Sequence, residues 1–340
     1  MLVAEIREIL KDYQEEDLRL LIVELYKAMP KRVREDKEID NFLKNAKERL
    51  RNKNIAKKQE KVTDVKLLKP EIETFLENAY AQNYFAPNRV IPKQERPKWR
   101  FKVKSYIKAL QTVPPEGEEG NIAADLLDKL YVMLCYACRY YIFNTEDPFA
   151  SVGIGQPELF DIVLKKRFSA GISRDAIKKA IALTVNSGMD RNTIHSELMM
   201  VLAVNLPTAD SKLLAIEEAK AQKAELDGEI NRNSGKKTVN SYSGFEKKEK
   251  ANNLTELIFR LYAELCEYED GISYYKRNIH ETNKEVELYL LLELLYLYDL
   301  KDLLLREYEK GVKSRIKPRK NLTEIYQYTK VRGELPEYFW

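Results

Sequence analysis

Apolar residues recur every three or four positions along most of this chain, and the polar or proline-bearing breaks between the runs set out a series of helices. Residues 3–10, 15–28 and 35–51 predict three short amphipathic helices, with Leu18, Leu21, Ile22, Leu25 and Tyr26 on one stripe and Pro30 closing the second. Pro70 suits the first position of a helix carrying Ile72, Phe75, Leu76 and Ala79. Trp99 to Leu110 predicts another, with Trp99, Val103, Tyr106 and Leu110 facing inward, and Ala123 to Phe143 reads as a long buried one. Further helices are predicted at 157–168, 174–186, 191–204 and 209–227.

One stretch repeats itself. Phe168 to Ile177 returns seventeen residues later as Val185 to Ile194, and each copy has the form of a helix–helix junction. Gly171 and Gly188 fit a left-handed helix end, while Ser173 and Asp190 fit the cap of the next helix. The spacing predicts a stacked αα array over residues 1–227, with a possible sub-boundary near 52–70. Gly228 to Lys250 is poor in apolar residues and predicts a flexible connection. Beyond it, Leu254, Ile258, Leu261, Leu265, Tyr268, Ile272, Tyr275 and Ile279 alternate steps of four and three as a heptad seam. With Thr282 and Glu285 as a capping box and Gly311 as the stop of a second helix, residues 251–340 predict a long antiparallel αα-hairpin and a tail. The fold class is all-α: a helical-repeat-like array followed by that hairpin.

Charge alters the picture locally rather than globally. The 58 Lys and Arg nearly balance the 54 Asp and Glu, but residues 89–108 hold eight basic residues and one acidic one, and residues 256–299 hold four and ten. Three cysteines in 340 residues suit a reducing, cytoplasmic setting. The acidic residues near the N-terminus and the charges that interrupt Val286 to Leu305 argue against a signal peptide or a membrane span.

Candidate chemistry is sparse. Cys135 and Cys138 form a C-x-x-C within an apolar helix, without a second pair to complete a zinc site, so they read as core residues. His195 and His280 match no catalytic signature, and no phosphate loop or dinucleotide fingerprint occurs. No motif assigns a catalytic residue, metal ligand or cofactor; a third reading, an enzyme with a dispersed site, requires a pocket that gathers His195 or His280 with carboxylates. Ser173 to Met200 admits a helix-turn-helix reading, which the repeated junction and the lone Arg191 disfavour. The basic segment between Tyr84 and Tyr106 carries more: Arg89, Lys93, Arg96, Lys98, Arg100, Lys102, Lys104 and Lys108 are the candidate contacts for an acidic partner, with Arg100, Lys104 and Lys108 in one i,i+4 row. The competing expectation is that these cations pair with the acidic C-terminal helices.

Glu16 to Lys27, and the segments Tyr84 to Pro92 and Arg96 to Phe101, resemble parts of uncharacterised bacterial helical proteins of unknown function, over roughly a third of the chain. The resemblance implies a bacterial, cytoplasmic protein and transfers no site residue. The reading expected of the whole is a non-catalytic helical scaffold that binds another protein, with self-association through 254–305. The alternative is a nucleic-acid-binding regulatory or defence protein that uses the 89–108 face.

Overall fold

The computed structural model describes residues 9–36, 39–45, 64–233 and 242–339. Its regular structure is helical, and no strand occurs among the described residues. Two compact units divide the chain, Met1–Val62 and Thr63–Trp340.

In the first unit, α1 (Glu15–Ala28) opens on Glu15, Glu16 and Asp17, which favour the positive end of the helix dipole. Of residues 35–51, predicted as one helix, the described part falls in α2 (Lys31–Asp36) and α3 (Ile39–Lys44) and the turn residue after it. Residues 3–8 and 46–51 of the predicted helices lie outside the described residues, as does most of the proposed sub-boundary. Tyr26 Oη donates to Asp40 Oδ1 at 2.6 Å and ties α1 to α3. No residue of α1 is buried.

The second unit begins with α4 (Val65–Tyr80). Pro70 does not open this helix, because Asp64 caps it six residues earlier by accepting from the backbone of Lys66 and Leu67 while Val65 is fully buried. Then follow α5 (Trp99–Thr112), α6 (Gly117–Ala137), α7 (Pro148–Val152), α8 (Gln156–Phe168) and α9 (Arg174–Asn186). The start of α6 lies inside the predicted loop. Gly120 makes this feasible, since a Cβ there would sit 2.1 Å from the carbonyl oxygen of Pro115. Next comes α10 (His195–Val204), shorter than predicted because Asp190 does not cap it; the Asp190 carboxylate instead accepts from the backbone of Asn192 and Thr193. Within this stretch α8 packs on α10 and α9 on α11 (Ala209–Asn233).

Gly228, placed at the start of a flexible connection, lies inside α11, and α12 (Tyr242–Glu264) packs along that helix. Residues 234–241 lie outside the described residues. The heptad seam is not one rod: it stops at Glu264 and resumes as α13 (Tyr268–Asn278), which folds against α12. The helix expected to run to Gly311 is likewise two, α14 (Lys284–Leu297) and α15 (Lys301–Lys313), followed by α16 (Lys320–Arg332). Asn283, not Thr282, caps α14. Gly311 is buried within α15, where a Cβ would meet Leu288 at 2.7 Å.

The breaks share one device. Gln82, Cys266, Asp299 and Arg315 all take positive φ just past a helix end. In each case the next residue's N–H reaches back five positions, as from Glu267 to Tyr262 and from Leu300 to Leu295, both at 2.9 Å. This is the bonding of a Schellman end without its usual glycine.

Among the described residues, two apolar cores result. The larger runs from Val65 to Leu261 and the smaller from Phe259 to Tyr326. Helix α12 serves both, sending Leu254, Leu257, Ile258 and Leu261 into the first and Phe259 and Ala263 into the second. Its seam residues Leu254, Ile258 and Leu261 are thus buried inside the chain.

Candidate functional site

The basic segment is built on a rigid loop. Asn88 accepts from the backbone of Val90 and Ile91 through its side chain and donates to the carbonyls of Asn83 and Ala86, so one amide organises the turn after α4. Arg96 is absorbed into this loop: its Nε donates to the Ile91 carbonyl at 3.1 Å and its Nη2 to the Asn88 carbonyl at 3.0 Å. These bonds give Arg96 a structural role in the loop. Lys98 is partly taken as well, by Glu95 at 2.7 Å.

Helix α5 then presents what remains. Trp99, Val103, Tyr106, Ile107 and Leu110 are buried, with Trp99 stacked on Phe143 at 3.8 Å between ring centroids, which fixes the helix's rotation. The opposite face carries Arg100, Lys102, Lys104 and Lys108 in solvent, with Arg89 and Lys93 exposed on the loop before it. None of these six makes an ion pair with a described residue. The expected pairing with the acidic C-terminal helices is absent among the described residues, and α5 packs on α6 and α7 instead. Phe101 stands 62% exposed among the cations, its ring 5.0 Å from the Arg100 guanidinium carbon. Successive members of the Arg100, Lys104, Lys108 row rise by roughly 6 Å along the helix.

Comparison with family models, with curated proteins and with solved structures gives no match. Function therefore rests on the geometry alone.

The other sequence candidates are absorbed by the fold. Cys135 is buried and burial pushes both the Cys135 and Cys138 thiols up to about 12, the opposite of what a reactive thiolate needs. No trio of His, Cys, Asp or Glu is placed to hold a metal ion among the described residues. In the helix-turn-helix candidate, Arg191 is paired with Glu146, and the backbone of Asn192 and Thr193 is held by Asp190. No helix among the described residues is long and apolar enough to cross a membrane.

One cavity gathers His195 with carboxylates, the arrangement the dispersed-site reading requires. It has a volume of about 520 Å³ and lies between the start of α10 and helices α12, α13 and α14, lined by His195, Glu256, Arg260, Tyr275 and Glu293 among leucines and isoleucines. Arg260 is 5% exposed and is held by Glu256, its Nε and Nη2 lying 2.8 and 2.7 Å from the same carboxylate oxygen. Burial holds His195 below its ordinary pKa, against the pull of Glu249, and raises that of Glu293, with the Glu256 charge adding to the rise. These residues come from four helices spread over a hundred positions, so no local motif announces them.

Proposed function

We propose that this protein binds nucleic acid through the exposed face of α5 and the loop before it. One observation carries the reading: Arg89, Lys93, Arg100, Lys102, Lys104 and Lys108 stand in solvent without an internal counter-charge on a rigid scaffold. Unpaired cations in a row neutralise phosphates, and an exposed ring among them offers a face for base stacking, which favours a single strand. Arg96 is excluded from the contact set by its loop hydrogen bonds.

The test is fluorescence anisotropy of a labelled single-stranded oligonucleotide over a series of salt concentrations. Affinity falls steeply with salt, and replacing Arg100, Lys104 and Lys108 by Ala makes the log–log slope shallower by about 2, from roughly 0.7 per lost phosphate contact. Phe101→Ala weakens binding by stacking loss of roughly 1–3 kcal/mol while leaving the slope unchanged. A flat salt dependence in the unmodified protein ends the proposal.

A second reading, attachment to another protein, is favoured by α1. Leu20, Ile22, Val23 and Leu25 are 48–65% exposed on a helix with no buried residue. Such a helix suits the groove of a protein partner. Ile22→Asp with Leu25→Asp abolishes cross-links from α1 to a co-purified protein if this reading holds; unchanged cross-links remove it.

A further inference from the structure

We propose that the cavity between α10, α12, α13 and α14 is a binding site for a small organic cation, an amine with an apolar body, whose ammonium is met by Glu293. This chain pairs other inward carboxylates with cations of its own. Glu307, on the next helix, is 1% exposed and is surrounded by Lys310 at 2.7 Å, Lys276 at 2.9 Å and Arg306 at 3.2 Å. Glu287, on the same helix as Glu293, is held by Lys284 at 2.6 Å. Glu293 is half-buried and has no hydrogen-bond or ion-pair partner among the described residues.

The neighbouring cation fills that role only in part: Arg260 attracts the Glu293 charge without bonding it. Arg260 is committed to Glu256 one turn back on its own helix, so the two carboxylates and one guanidinium leave the cavity one negative charge in excess. His195 does not supply the balance, because burial keeps its imidazole neutral. A carboxylate withdrawn from water without a counter-charge is costly, and an ammonium entering the cavity relieves that cost. Around it, Leu290 and Leu294 provide apolar wall, and the mouth is flanked by Ile194 and Leu297, exposed by 62% and 57%. The volume, about 520 Å³, falls in the range of small-molecule sites, and the mix of apolar wall with few polar groups is theirs too. This site lies apart from the α5 face and stands or falls independently of nucleic-acid binding.

The experiment is calorimetric titration of the full chain with 2-phenylethylamine, using 2-phenylethanol and phenylacetate as neutral and anionic probes. The amine binds saturably, the alcohol at least about tenfold more weakly, and phenylacetate not at all. Glu293→Gln weakens the amine by about tenfold or more and brings it level with the alcohol. Because the substitution removes an uncompensated charge, the variant melts at the same temperature as the parent or higher. Absence of amine binding at about 10 mM, equal binding of phenylacetate, or an unchanged affinity in Glu293→Gln overturns the proposal. A sharply lowered melting temperature for Glu293→Gln also overturns it, since Glu293 would then be holding the fold rather than awaiting a ligand.

Discussion

The junctions at 168–177 and 185–194 share a sequence pattern and are held by different forces. At the first, Gly171 is exposed, takes φ +119° and has open space where a Cβ would go, while Ser173 caps α9 by accepting from the Ala176 N–H. It is a local turn, dictated by backbone conformation. At the second, Gly188 is buried without positive φ, and a Cβ would lie 2.6 Å from the Cys135 carbonyl oxygen. Here glycine is needed for close approach to α6. The fully buried Gln156 bolts the loop down, donating to the Gly188 carbonyl at 2.9 Å and accepting from the Asp190 N–H at 2.8 Å. Similar letters thus encode a turn in one place and a tertiary contact in the other.

Substitution at Gly188 separates the two most sharply. Gly188→Ala drives a methyl into backbone that has no freedom to yield, and we expect a loss of about 3 kcal/mol in urea unfolding. Gln156→Leu keeps the volume but strands the Gly188 carbonyl and the Asp190 N–H, for a loss of about 2–3 kcal/mol by the same measurement. Gly171→Ala meets no atom and costs only its backbone strain, about 1–2 kcal/mol. If Gly171→Ala proves as damaging as Gly188→Ala, the distinction between the junctions is lost. Ser173→Ala then costs about 1 kcal/mol as a lost cap.

The same contrast explains what could be read from the chain alone. Where local chemistry decides, the reading is close: α9 spans Arg174–Asn186 as predicted, and Trp99, Val103 and Tyr106 face inward on α5 as their spacing requires. Where tertiary packing decides, glycine misleads. Gly311 reads as a helix stop and is instead a buried contact with Leu288, while the real stops at Cys266, Asp299 and Arg315 use residues whose letters carry no such signal. That is why one heptad seam became two helices. The candidate sites divide likewise. The α5 row was visible because it lies on one helix, although the absorption of Arg96 by Asn88 and Ile91 was not. The Glu293 cavity joins four helices and leaves no trace at any fixed spacing.

The smallest expected effect extends the comparison to pH. The second junction leads directly into His195, the first residue of α10, whereas the first leads into Arg174. Burial lowers the His195 pKa below its value in the unfolded chain, so at mildly acidic pH the unfolded state binds the proton that the folded state refuses. The stability associated with the neutral ring is therefore fully present above the unfolded value of about 6.5 and declines as pH falls through it toward the folded value. Glu249 and Glu256 pull the other way and Arg139 adds to the depression, which keeps the net effect modest. Unfolding free energy measured from pH 7.5 down to pH 5.5 should fall, and His195→Gln should remove that part of the slope. A slope unchanged by His195→Gln would show that the imidazole does not sense the cavity, and would take from the second junction its one titratable consequence.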